Sequence, residues 1–136
     1  MPFGAQYNGG HTAHSIPIFL NVYDLSPLNE NVLDHIGCGV LHTGVEISGR
    51  EYTFAGGSGV FEGEVRSASP AVYKQSVELG TFAGTQSEVM LAIDDLKGSF
   101  GPSDYNILSR NCNHFSDALC RSLLGRSIPA WVNRAA

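Results

Sequence analysis

The chain has 136 residues, 43% hydrophobic and 15% charged, with a formal net charge of −5. That length corresponds to one domain able to bury a core without staples, and the acidic balance makes nucleic acid a poor default partner. Three cysteines without regular spacing (Cys38, Cys112 and Cys120) do not resemble a disulfide framework. Reduced thiols are therefore expected, which places the chain in the cytosol, with the nucleus as a further compartment. The first apolar run, Ile16 to Leu20, is short, lacks a basic leader and is broken by Pro17, so no signal peptide is expected. No run approaches a membrane-spanning length, and Pro2 is incompatible with N-myristoylation.

In chain order, residues 1–15 are rich in Gly, Asn, His and Thr and are expected to form a flexible tail ahead of a domain spanning 16–136. Ile16 to Leu25 reads as a strand buried on both faces. Ser26 to Asn29 reads as a turn and Asn31 to His35 as a short helical turn. Cys38 to Ile47 is a second strand, with Leu41, Thr43, Val45 and Ile47 on one face and Val40, His42, Gly44 and Glu46 on the other. A hairpin turn at Ser48-Gly49-Arg50 leads into Glu51 to Ala55, and the glycine-rich loop 56–59 into Val60 to Val65. Val77 to Phe82 is a further strand.

Thr85 and Glu88 have capping-box spacing ahead of Val89, Ile93 and Leu96, predicting a helix that ends near Gly98. Phe115, Ala118, Leu119, Ser122 and Leu123 keep helical spacing over Cys112 to Leu124, and Gly125 stands where a helix terminates. Ile128 to Val132 closes the chain. The expected class is α+β, a small antiparallel sheet packed with two main helices.

Cys112 falls at the first turn of its helix. Unpaired N–H groups and the helix dipole favour negative charge there, and a thiol acts as a nucleophile only as thiolate. His42, on a rigid strand, is the suitable base. His114 is rotated about 200° from Cys112 on the helix and reads as structural. His11 and His14 lie in the tail and His35 in a loop or helical turn. Cys120, two turns into the helix, reads as inert. A cysteine at a helix start with a strand-borne histidine is the working part of a papain-like thiol hydrolase, here with the histidine first in sequence. The chemistry would be acyl transfer through a thioester. The Cys112 backbone N–H and the Asn106 side chain are the oxyanion candidates, and no third residue orienting His42 is evident. Zinc held by Cys38, His42, Cys112 and His114 is the competing reading, but ligands two positions apart on a helix diverge, so no metal or cofactor is expected.

Several motifs carry a resemblance. Val22-Tyr23-Asp24-Leu25-Ser26, Leu41-His42-Thr43-Gly44-Val45-Glu46-Ile47, Tyr52-Thr53-Phe54-Ala55-Gly56-Gly57, Tyr105-Asn106-Ile107-Leu108, Asn111-Cys112-Asn113-His114-Phe115-Ser116 and Ile128-Pro129-Ala130-Trp131-Val132-Asn133 resemble the PPPDE family of permuted papain-fold peptidases, which includes the desumoylating isopeptidases. The resemblance implies a His42–Cys112 dyad that removes ubiquitin or a ubiquitin-like modifier such as SUMO from lysine. Homodimers occur among relatives, although this sequence does not establish one. A modifier tail ending in Gly-Gly needs a narrow slot, for which Gly44, Gly56 and Gly57 are candidate lining residues. Asn113 is a candidate for substrate contact or for capping, and Trp131 for covering the cleft, docking a partner or plugging the core. Two other functions share these residues: a thioesterase or acyltransferase with an apolar channel beside Cys112, and a catalytically silent ubiquitin-binding module.

Overall fold

Residues 15–25 and 41–134 are described in the computed structural model. The tail expected over 1–14, the segments 26–29 and 31–35, the beginning of the second strand at 38–40, and His11, His14, His35 and Cys38 lie outside the described residues.

Among the described residues five strands form one antiparallel sheet: β1 (Ile16–Asp24), β2 (Leu41–Ile47), β3 (Arg50–Ala55), β4 (Gly59–Gly63) and β5 (Val72–Phe82), in spatial order β4-β3-β2-β1-β5. β1 lies inside the sheet between β2 and β5 and is buried on both faces: Ile18, Leu20 and Val22 on one, Asn21 and Tyr23 on the other. Its register sets Tyr23 opposite His42 and Asn21 opposite Gly44. Directly opposed side chains share a face, so His42, Gly44, Asn21 and Tyr23 lie together. β3 adds Glu51, opposite Glu46.

The other face is apolar. Ile18, Leu20, Val22, Val45, Ile47 and Phe54 form one core with Val89 and Ile93 of α1 (Gln86–Lys97) and Phe115, Leu119 and Leu123 of α2 (Cys112–Leu124). Phe100 closes this core with edge contacts to Phe54 and Phe115, centroids 5.1 and 5.5 Å away. The chain therefore folds as an α+β domain whose sheet has one face for packing and one face for polar groups.

The helix termini match their sequence signals. Thr85 caps α1 in a capping box with Glu88. Asn111 caps α2, and Gly125 ends it in the left-handed region at φ 72°. The described strands depart from expectation at two places. β4 spans Gly59–Gly63 rather than 60–65, and β5 begins at Val72, five residues before the apolar alternation starts. Val72 to Gln75 are exposed on an edge strand, so their polar pattern carries no burial signal while their backbone pairs with β1. Residues 130–134 add a short helix, α3 (Ala130–Arg134), on which Trp131 is half-buried against the core. Among the described residues no helix is long and apolar enough to cross a membrane.

Candidate active site

The contact between His42 and Cys112 is assembled by its neighbours. Thr43 on β2 donates its hydroxyl to Asn113 Oδ1 on α2 at 2.7 Å and lies 2.9 Å from Ser116 Oγ. Asn113 Nδ2 donates to the Leu41 carbonyl at 3.4 Å. This buried clamp fixes residue 43 to residue 113 and so brings the preceding residue of each, His42 and Cys112, side by side. His42 Nδ1 lies 3.1 Å from Cys112 Sγ. Both are buried, at 6% and 0% exposure.

Cys112 is the first residue of α2. Asn111 Oδ1 accepts the backbone N–H of Asn113 at 2.9 Å and of His114 at 3.1 Å. The His114 ring turns back to the Asn111 backbone N–H, with Nδ1 3.1 Å away. His114 is thus structural, half of a capping box, as its helical position predicts. No acidic residue occupies this first turn, so its positive dipole end faces the sulfur uncompensated.

Cys112 is disulfide-bonded in this structure, whereas the sequence led us to expect reduced thiols. Cys120 is free and buried. A thiolate at position 112 requires the reduced form. Burial holds the His42 ring well below the usual imidazole value, at about 4. A thiolate beside it works in the opposite direction, because an opposite charge within reach favours the charged ring. The Tyr105 ring packs on Phe54, with centroids 5.1 Å apart. Burial pushes its phenol up to about 12, and the Cys112 backbone N–H works against that shift. The N–H considered for an oxyanion therefore faces a phenol oxygen.

A cleft of about 350 Å³ opens beside His42 over the polar face of the sheet. Its floor is Glu51, Thr53 and Ala55 of β3 with Phe61 and Gly63 of β4, and its wall is the segment from Glu64 to Pro70. The remaining sequence candidates serve other contacts. Gly44 is buried, and a Cβ there would collide with the Glu51 carboxylate. Gly56 lies against the Tyr105 ring, a Cβ contact of 3.4 Å, and the Gly57 N–H donates to the Pro102 carbonyl at 2.9 Å. Asn106 Oδ1 closes its own turn by accepting the N–H groups of Leu108 and Ser109 at 2.9 and 3.0 Å. Asn113, 1% exposed, belongs to the clamp. Among the described residues no cluster of His, Cys, Asp and Glu is arranged to hold a metal ion.

Residues 16–136 match the family model described as the PPPDE putative peptidase domain. The chain belongs to the PPPDE family. It is 37% identical over 124 residues to a DeSI-like protein of Arabidopsis thaliana, covering 88% of this chain and 55% of that one. It is 39% identical over 125 residues to a desumoylating isopeptidase 1 homolog of Caenorhabditis elegans, covering 86% and 37%. Human desumoylating isopeptidase 1 is 29% identical over 124 residues, covering 85% and 72%. The chain thus spans about a third to a half of the length of the first two relatives. Within this PPPDE domain, sequence reasoning missed Tyr23, Glu51 and Tyr105. Tyr23 stood in a quoted motif and faces His42 across β1 and β2, so strand pairing was the signal available for it.

Proposed function

We propose that this domain is a thiol isopeptidase that cleaves the amide between a lysine and the C-terminal glycine of SUMO or another ubiquitin-like modifier. The observation carrying the reading is the 3.1 Å approach of His42 Nδ1 to Cys112 Sγ at the N-terminus of a helix. The printed names of the relatives, desumoylating isopeptidases among them, support the substrate class. The working state is the reduced enzyme, consistent with a cytosolic or nuclear setting.

In the mechanism, His42 takes the Cys112 proton, giving a thiolate–imidazolium pair that the helix dipole favours. The thiolate attacks the terminal glycine carbonyl and the negative charge passes to its oxygen. The Cys112 backbone N–H would serve as the donor to this oxygen on turning from the Tyr105 phenol that it meets in the substrate-free structure. The tetrahedral species collapses as His42 protonates the departing lysine amine, leaving a thioester on Cys112. Water, deprotonated by His42, attacks the thioester and releases the modifier with a free carboxylate.

The test uses reduced protein with electrophilic probes built on SUMO and on ubiquitin. An adduct on Cys112 that is absent in Cys112→Ala and strongly slowed in His42→Ala is the expected result. Absence of any adduct, with neither conjugate cleaved, rejects the proposal. An acyl-ester hydrolase would need a continuous apolar channel. The described cleft carries both apolar residues, among them Phe61, Ala68 and Pro70, and polar ones, among them Glu64, Ser67 and Ser69, so adduct formation with the modifier probes is what separates the two substrates.

A further inference from the structure

Glu51 is a carboxylate buried at 4% exposure in the middle of a sheet. Taking such a group from water costs stability unless partners compensate, and an apolar residue of like size would serve the fold as well. Its partners all lead to the site. Tyr23 donates its hydroxyl to Glu51 Oε2 at 2.7 Å. Oε1 accepts from Asn21 Nδ2 at 2.6 Å and from the Arg66 backbone N–H at 2.8 Å. Asn21 is itself fixed by Ser76, whose hydroxyl donates to Oδ1 at 2.6 Å.

We propose that Tyr23 and Glu51 are a positioning pair that sets the angle of the His42 ring and, through the same carboxylate, holds the wall of the substrate cleft. The claim rests on the isopeptidase reading and names the residues that make its base effective. The Tyr23 ring packs against His42, centroids 5.4 Å apart and planes inclined by 51°. Among the described residues the only polar contact on the imidazole is Cys112 Sγ. One hydrogen bond leaves a ring free to rotate about it, so a packed neighbour must fix the remaining angle. Tyr23 can do so only if it is itself immobile, and Glu51 pins its far end.

The second half of the device is the wall. Arg66, whose N–H reaches Glu51, has a left-handed backbone at φ 56°. That conformation is unfavourable for a residue with a side chain and persists where its surroundings impose it. The next two backbone N–H groups, of Ser67 and Ala68, reach the Tyr23 hydroxyl oxygen, and both residues line the cleft. Gly44 completes the arrangement, since a side chain there would displace Glu51.

The test follows the pH dependence of Cys112 alkylation by iodoacetamide in reduced protein, read by mass spectrometry of the Cys112 peptide. The panel is wild type, Tyr23→Phe, Glu51→Gln and His42→Ala, with thermal melts run alongside. Wild type should react at about pH 6, where an imidazolium keeps the sulfur ionised. Tyr23→Phe keeps the ring but releases its anchor, and should lose about tenfold in rate at that pH while reacting normally near pH 9. Glu51→Gln, nearly isosteric, should shift the profile the same way. Turnover of a modifier–coumarin substrate should show kcat falling with the alkylation rate and KM rising as the wall loosens.

A role confined to stability would lower the melting temperature and leave both profiles unmoved, and that result in the two variants overturns the positioning role. If wild type itself reacts as an ordinary thiol, matching His42→Ala, the isopeptidase reading fails first. Should Tyr23→Phe not fold, Glu51→Gln carries the decision.

Discussion

At His42 two opposing effects meet in one ring. Burial alone holds it at about 4, and reduction of Cys112 introduces a thiolate that raises it. In Cys112→Ala, where no thiolate exists, an NMR titration should find the ring neutral down to about pH 4. In the reduced wild type the ring should titrate higher. The same shift bears on stability. The unfolded ring binds its proton at about 6.5 and the folded ring at about 4, so between those values the unfolded state holds more protons. Stability of Cys112→Ala should therefore fall as pH drops through that window, by up to about 3 kcal/mol. Urea melts at pH 7 and pH 4.5, with and without His42→Gln, measure the difference. Asn113 gives a second prediction at this scale. Asn113→Ala removes the buried amide that bonds the Leu41 carbonyl and the Thr43 hydroxyl, leaving the hydroxyl only Ser116, and should cost about 2 kcal/mol and most of the turnover. The meeting of His42 and Cys112, 3.1 Å apart, was legible in the sequence because a cysteine at a helix start and a histidine on a strand each stand at a recognisable position. Asn113 was not resolved there, since substrate contact and a structural bond demand the same amide.

Among the elements, α2 was the most legible. Its apolar period, its start at Cys112 and its glycine stop all coincide with the helix observed. Asn111→Ala should remove about 1 kcal/mol of stability and slow Cys112 alkylation near neutral pH, since the cap orients the turn that favours the thiolate. Gly125→Ala forces a side chain into the left-handed region and should cost about 1 kcal/mol with no change in alkylation. The pair of variants separates the helix's N-terminal role from its mere stability. β5 was the least legible. Its first residues pair with β1 on an exposed edge, where side chains leave no periodic trace even though Tyr73 packs edge-on against Tyr23.

For the molecule as a whole, the proposed chemistry requires Cys112 as a free thiol, whereas the structure has it disulfide-bonded. Protein purified without reductant should be inactive and should recover on treatment with dithiothreitol, and a protein equally active before and after would contradict the disulfide seen here. Cys120 should take no part, because it is buried and burial pushes its thiol up. The two-faced sheet was foreseeable from alternation along β2, but the contents of its polar face were not. Glu51, Tyr23 and Asn21 meet only after three strands pair, and their spacing along the chain says nothing of that meeting.

The bond between Thr43 and Asn113 also ties a strand of the sheet to the start of a helix through one buried contact. Because the same two side chains close the sheet against the helix and seat the reacting atoms, no partly opened form can keep its chemistry. Backbone amides of residues 41–45 and 113–119 should therefore exchange with deuterium as a single cooperative block, and catalytic death on heating should track that block rather than the loosening of the sheet edges.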